Sequence, residues 1–325
     1  MSLISIIIPI YNEAKCLETL ATRLFSIEKN IEEKFEFIFV NDGSNDETLD
    51  ILHSFEKAKE NVKFISFSRN FGHEAATTAG IDHAVGDAVV VIDADLQDPP
   101  ELIPELIQKW KQGYQIVYAQ RRNRIGENSI TKLTSWMFYR VFKLVSHIDM
   151  PLDTGDFRLI DRCVAEQLLT CREQNRFIRG LISWVGYKQC AVLYDRDERF
   201  SGRSKYNLIK RSLLAMDAFL GFSTVPLRIV LVFGIIICFF SIIMLGIIVV
   251  QRIFFAMPME GYALLTSAIF FLSGVQLFVM GLIGEYVGRI YTHSQNRPLY
   301  IIAEQSESLP KGYEARIELL KKAKV

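Results

Sequence analysis

Apolar and polar positions fall into three regimes along this chain. Over roughly the first 120 residues, short apolar runs alternate with longer stretches in which apolar residues recur every three or four positions. Leu3–Pro9 is nearly continuously apolar, as expected of a parallel strand covered on both faces. The spacing of Leu17, Leu20, Leu24 and Ile27 predicts a helix from about Ala14 to Asn30. Strands are then predicted at Phe35–Asn41, Val62–Ser68, Asp87–Ile92 and Gln115–Ala119. Helices are predicted after Asp46 to about Lys59, over Glu74–Val85, and from Pro99-Pro100 to Gly113, with Asp46 suited to capping the first of them. This alternation predicts an α/β fold: an open, mostly parallel sheet with flanking helices and right-handed crossovers.

The second regime, from about Glu127 to His147, sets Leu133, Trp136, Met137, Val141 and Leu144 at helical spacing, with Lys132, Arg140 and Lys143 in one quadrant. An amphipathic helix at a bilayer interface fits this pattern, as does a core-facing surface helix. A second apolar, partly basic stretch spans Tyr206 to Phe222. The third regime holds two uncharged apolar runs, Ile229 to Gln251 and Gly261 to Gly284. Each is long enough to cross a hydrocarbon core of about 30 Å, and core helices of soluble proteins are seldom apolar on every face over such lengths. The expected organisation is a core at 1–125, a region with amphipathic juxtamembrane helices at 126–225, a two-helix transmembrane hairpin at 226–290 (about 227–251 and 261–284), and a cytoplasmic tail at 291–325. Arg203, Lys205, Lys210, Arg211 and Arg228 before the first run, with Arg289 and Arg297 after the second, predict that both ends face the cytoplasm.

Composition narrows this picture. Lys+Arg and Asp+Glu number 37 each, so bulk charge gives no argument for nucleic acid. The five cysteines include no C-x-x-C pair, which disfavours metal-site and disulfide readings. The N-terminal strand pattern lacks a basic n-region and is not expected to be a signal peptide. Neither G-x-G-x-x-G nor G-x-x-x-x-G-K-[ST] occurs, nor does a G-x-S-x-G elbow. The five histidines lie far apart and offer no metal-ligand spacing.

Ligands in open α/β sheets bind beyond the carboxyl ends of the strands, and polar residues collect there. The run Val89-Val90-Val91-Ile92-Asp93-Ala94-Asp95-Leu96-Gln97-Asp98 delivers two carboxylates two residues apart. Such oxygen ligands suit Mg²⁺ or Mn²⁺ held with a substrate's phosphates. Asp42, in Val40-Asn41-Asp42-Gly43-Ser44, suits a base N–H or a ribose hydroxyl, and Tyr11 with Glu13 offers a ring and a carboxylate.

Three segments, Ser5-Ile6-Ile7-Ile8-Pro9-Ile10-Tyr11-Asn12-Glu13, Val40–Ser44 and Asp93–Pro100, resemble the signature of inverting family 2 glycosyltransferases with a GT-A fold. The resemblance continues through Ser68-Arg69-Asn70-Phe71-Gly72, Thr154-Gly155-Asp156-Phe157-Arg158-Leu159, Gly202-Arg203-Ser204-Lys205-Tyr206 and Gly284-Glu285-Tyr286-Val287-Gly288-Arg289. It is strongest towards polyprenyl-phosphate glycosyltransferases of the bactoprenol glucosyltransferase branch, which are similar to dolichol-phosphate mannosyltransferases. The Q-x-x-R-W motif of processive synthases is absent.

The resemblance implies that Pro9, Tyr11, Asn12, Glu13, Val40, Asp42, Asp93, Ala94 and Asp95 hold the nucleotide sugar. It implies Asp93, Asp95 and Gln97 around a divalent metal, Asp95 and Asp156 as catalytic residues, and Arg121, Arg199, Ser204 and Lys205 on phosphates. The expected partners are a UDP-hexose, undecaprenyl phosphate and the bacterial inner membrane. GDP-mannose or a UDP-aminoarabinose derivative as donor, and a non-catalytic membrane component, are the alternatives. Small residues along the second apolar run permit homo-oligomers.

Overall fold

A computed structural model of the chain describes residues 1–122, 151, 154–174, 176–195, 225–255 and 261–309. The chain forms two compact units, one carrying the sheet and the other built on two long helices. The predicted amphipathic stretches at Glu127–His147 and Tyr206–Phe222, and the predicted phosphate ligands Arg199, Ser204 and Lys205, lie outside the described residues.

In the sheet unit, β1 (Leu3–Ile10), α1 (Ala14–Glu28), β2 (Lys34–Asn41), α2 (Thr48–Ala58), β3 (Val62–Phe67), α3 (His73–His83) and β4 (Ala88–Val91) follow the predicted alternation. A short 3₁₀ turn at Pro100–Leu102 leads into α4 (Ile103–Lys111), and β5 (Ile116–Arg121) follows. After them come β6 (Thr154–Asp161), α5 (Arg162–Thr170), α6 (Ile178–Val185) and β7 (Gln189–Tyr194). The final strand is β8 (Ile302–Gln305). The sheet runs β7-β5-β6-β4-β1-β2-β3-β8. Pairings of β1 with β2 and β4, β2 with β3, and β5 with β7 are parallel. β1 and β2 are buried along nearly their whole length, which is why their sequences do not alternate. Phe37, Phe39, Phe64 and Phe157 are the largest fully buried side chains of the core.

Two features depart from the sequence reading. The strand predicted at Gln115–Ala119 does not extend the parallel series, because β6 enters antiparallel between β4 and β5, with Val91 opposite Arg158. The 291–325 segment is not all tail, since β8 pairs antiparallel with the β3 edge. Ser306 beyond it is buried, its backbone N–H donating to Phe64 O at 3.0 Å and its Oγ accepting Phe64 N–H at 2.9 Å. An exposed row of β3 backbone groups is thereby paired.

The second unit contains α7 (Val225–Phe255, 31 residues) and α8 (Tyr262–Ser294, 33 residues). α8 runs past the predicted end at Gly284 to Ser294. Among the described residues, Ala268–Ser294 is long and apolar enough to cross a membrane by length and composition, and Val230–Ile243 is a shorter apolar helical stretch. None of the qualifying window is buried, unlike the core helix of a soluble protein, and Phe270, Leu277 and Phe278 are largely exposed.

Candidate active site

The site is built at the carboxyl ends of the central strands. Pro9 sits opposite Val40 in the β1–β2 pairing, and the chain turns out through Tyr11, Asn12 and Glu13. Asn12 adopts a left-handed conformation (φ 54°), a role asparagine tolerates. Its Oδ1 accepts the Asn45 N–H at 2.8 Å, and its own N–H donates to Ser44 Oγ at 2.9 Å. The loops after β1 and β2 are thus laced together. Asp46 accepts N–H groups of Ala14 and Thr48, each at 3.2 Å, and so serves the starts of both α1 and α2.

Asp42 is buried, and its carboxylate receives the N–H groups of Phe71 at 2.7 Å and Gly72 at 3.0 Å. Burial nonetheless raises its pKa, against those two bonds and the nearby His73. In this arrangement the carboxylate shapes the 69–72 loop that leads into α3. Gly43 beside it has φ +64°, and a Cβ there would lie 2.7 Å from Asn70 N and 2.9 Å from Arg69 Cα. Only glycine fits so close an approach between the two loops.

Asp93, Ala94 and Asp95 emerge just after β4. Asp95 Oδ1 accepts the Gln97 N–H at 3.1 Å, and Leu96 between them is left-handed (φ 61°). That conformation costs a leucine about 1–2 kcal/mol, offset here by burial of its side chain in the core. Ala94 is buried as well.

The densest electrostatic contacts centre on Asp156, in β6. Its carboxylate takes a bidentate pair from Arg179 of α6, with Nε and Nη2 each at 2.6 Å. His73 Nε2, at the start of α3, lies 3.2 Å from Asp156 Oδ2 and 3.7 Å from Asp93 Oδ1. Ligand atoms of His73, Asp93 and Asp156 all fall within 4.8 Å of one another. Burial would lower the His73 pKa, but Asp156 and Asp93 more than reverse this and raise it to about 10. Asp93 is pushed up to about 7, chiefly by burial and by the carboxylates of Asp156, Asp98 and Asp95. Asp156 goes the other way: burial opposes its charge, yet Arg179 and His73 hold it well below the usual range. Glu74 is raised by burial and by Asp156, and its Oε2 accepts the Ile178 N–H at 3.0 Å, tying α3 to α6.

This corrects the reading of the histidines, because sequence distance hid a spatial cluster that includes His73. The ion-pair partner of Asp156 is Arg179, whereas Arg158 turns its Nη2 to Gly155 O at 2.6 Å. Of the residues predicted around a metal, Asp93 belongs to the three-residue cluster, while Asp95 and Gln97 form the adjoining turn. Arg121, at the end of β5, donates from Nε to the Tyr194 hydroxyl at 3.4 Å, and that hydroxyl donates in turn to Asp98. His73, Glu74 and Arg179 are the site residues that sequence reasoning missed. A titratable pair opening α3 just before the run of small residues Ala75–Gly80 was the available signal for the first two. Arg179 carried none.

The cluster passes a chemical test for a divalent cation. Its set of one imidazole and two carboxylates suits such an ion once His73 gives up its proton, and Asp93 Oδ1 is buried with no hydrogen-bond partner.

Comparison with known proteins identifies the fold's lineage. Residues 5–169 match the profile of Glycosyl transferase family 2. The chain belongs to that family. Residues 225–290 match the GtrB C-terminal hairpin, so the glycosyltransferase carries a membrane-associating helical pair. It is 46% identical to the uncharacterized glycosyltransferase YkcC of Bacillus subtilis, over 92% of each chain. It is 38% identical to the bactoprenol glucosyl transferase of Shigella phage SfV, over 94% of this chain and 99% of that one. Among solved structures, mannosyl-3-phosphoglycerate synthase from Rubrobacter xylanophilus aligns with a TM-score of 0.48 at 18% identity, over 66% of this chain and 71% of that one. The sheet unit of this glycosyltransferase is a GT-A-type mixed sheet flanked by helices.

Proposed function

We propose that this glycosyltransferase moves a hexose from a nucleoside diphosphate sugar, UDP-glucose in the first instance, to undecaprenyl phosphate at the cytoplasmic membrane face. One observation carries the reading: likeness to bactoprenol glucosyl transferases extends over nearly the whole chain, including the apolar hairpin. A catalytic domain alone would leave the acceptor open, but an enzyme with exposed apolar helices is suited to an acceptor that lives in lipid.

In this proposal residues 1–125 hold the nucleotide sugar through Pro9, Tyr11, Asn12, Glu13, Val40, Asp42 and Asp93–Asp95. Residues 126–225 meet the acceptor, with Arg121, Arg199, Ser204 and Lys205 on phosphates. The helices at 226–290 cross the bacterial inner membrane, both termini stay in the cytoplasm, and homo-oligomers are compatible with the small residues of α8. A lipid phosphate oxygen attacks the anomeric carbon as the bond to the β-phosphate oxygen breaks, so the configuration inverts and the nucleoside diphosphate departs. The acceptor is already anionic and needs no strong general base. Asp156, an ion-paired carboxylate with a depressed pKa, is therefore assigned to steadying positive charge on the sugar ring, or orienting the acceptor, rather than to removing a proton. Mg²⁺ or Mn²⁺ held by Asp93, with Asp95 and Gln97 or with His73 and Asp156, would supply charge stabilisation at the departing diphosphate.

Purified protein incubated with undecaprenyl phosphate and a panel of nucleotide sugars, with mass spectrometry of the lipid product, tests the reading. A hexosyl lipid phosphate formed fastest from UDP-glucose, of β configuration and abolished by chelation, is expected. A retained configuration eliminates single displacement, and a faster reaction with GDP-mannose or a UDP-aminoarabinose derivative reassigns the donor.

A further inference from the structure

α3 carries His73 and Glu74 in its first turn and Asp82 in its last. Its first turn is set from the sheet side, where Asp42 accepts the N–H groups of Phe71 and Gly72. Its last turn is held by the segment that follows α8. Asp82 is 2% exposed, and its carboxylate accepts Arg172 Nη1 at 2.8 Å, Arg172 Nη2 at 3.0 Å and the Tyr300 hydroxyl at 2.7 Å. The Tyr300 ring also stacks on Phe67, with centroids 5.1 Å apart and planes 13° from parallel. Phe67 is the last residue of β3 and meets Phe71 edge-on at 5.7 Å. One side chain from beyond the helical hairpin thus grips the carboxylate at the far end of α3 and the aromatic pair beside the loop that enters its near end.

Covering the sheet edge does not require this. The ladder of β8 with β3, the bond from Ser68 N–H to Ile301 O at 3.0 Å and the two Ser306 bonds already fasten the segment through backbone-directed contacts. Tyr300 adds contacts aimed elsewhere, at a helix and a loop that both lead to the site.

We propose that Tyr300 is a positioning residue. It registers α3, and through Phe67 and Phe71 the 69–72 loop, so that His73 and Glu74 are presented to Asp93 and Asp156. The link to catalysis rests on the proposed transfer reaction, whereas the coupling itself does not.

Hydrogen exchange on the full-length protein in lipid nanodiscs, without ligand, tests the coupling in Tyr300→Ala, Tyr300→Phe and Ser306→Ala. Tyr300→Ala should speed exchange across 69–76 by about tenfold, and Tyr300→Phe, which keeps the stacking, by about threefold. Ser306→Ala should loosen 62–66 and 302–306 while leaving 69–76 within about twofold of wild type. Unchanged exchange at 69–76 in a folded Tyr300→Ala protein, or an equal rise in Ser306→Ala, overturns the proposal. If Tyr300→Ala does not fold, Tyr300→Phe decides: faster exchange at 69–76 supports the coupling, and no change overturns it. In the transfer assay, Tyr300→Ala should raise the donor KM or lower kcat well beyond Ser306→Ala. Wild-type protein inactive with every donor, while the exchange difference persists, would count against the proposed reaction and in favour of the coupling.

Discussion

The two sides of the sheet use their carboxylates differently. On the side of β1, β2 and β4, three acidic groups at the strand ends accept backbone N–H groups, with Asp93 the exception: Asp42 from Phe71 and Gly72, Asp46 from Ala14 and Thr48, Asp95 from Gln97. On the β6 side, Asp156 meets the cationic side chains of Arg179 and His73. A carboxylate bound to peptide N–H groups fixes the path of a loop, whereas one bound to cations fixes the local charge. Most carboxylates of the parallel half therefore supply shape, while Asp156 of the antiparallel insertion gathers charge around itself together with Asp93 and His73 from the parallel half.

The largest effect should follow Asp156→Asn. It leaves the partly buried Arg179 without its ionic partner, and about 2–3 kcal/mol of stability should be lost after allowing for partial exposure. Turnover should fall about 100-fold or more with little change in donor KM. Asp42→Asn should do the opposite, raising donor KM about tenfold through a looser 69–72 loop while kcat holds. The same pattern of kcat and KM in both variants would erase the distinction between the halves. A pH–rate profile adds a second check, since loss of an acidic limb in Asp156→Asn would restore a general-base role.

Gly43→Ala should cost about 1–3 kcal/mol, because the new methyl group meets the Arg69–Asn70 backbone at a positive φ. Thermal unfolding and donor KM should both register it. The smallest effect belongs to Asp161, which caps α5 through the Cys163 N–H at 2.8 Å and accepts Trp110 Nε1 at 2.7 Å. Burial opposes its charge, but these bonds prevail and depress its pKa. Its contribution is complete above the unfolded value near 3.9 and fades as pH falls through the lower folded value. Asp161→Asn should lower stability by about 1 kcal/mol at neutral pH and flatten the acid limb of the stability curve below about pH 4.

Continuous apolar runs made β1 to β4 readable, and helical apolar spacing, with Asp46 suited to capping α2, marked helices between them. The strand-end carboxylates were visible for the same reason, since each follows its run directly. Asp156 was visible only through resemblance, because β6 pairs with neighbours distant in sequence and nothing in its own pattern reveals an antiparallel insertion. His73 and Arg179 were hidden more deeply. Their meaning arises where the starts of α3 and α6 converge, a long-range property that spacing does not encode. β8 was obscured by its length of four residues and its position among charged neighbours.

Because β8 lies downstream of both long helices, a ribosome making this chain completes the hairpin before the last strand of the enzyme's sheet exists. During synthesis the flank of β3 stays bare, a sticky border open to foreign strands, until residues 302–305 arrive to close it. Completion of the sheet is thereby timed to follow synthesis of the helical hairpin.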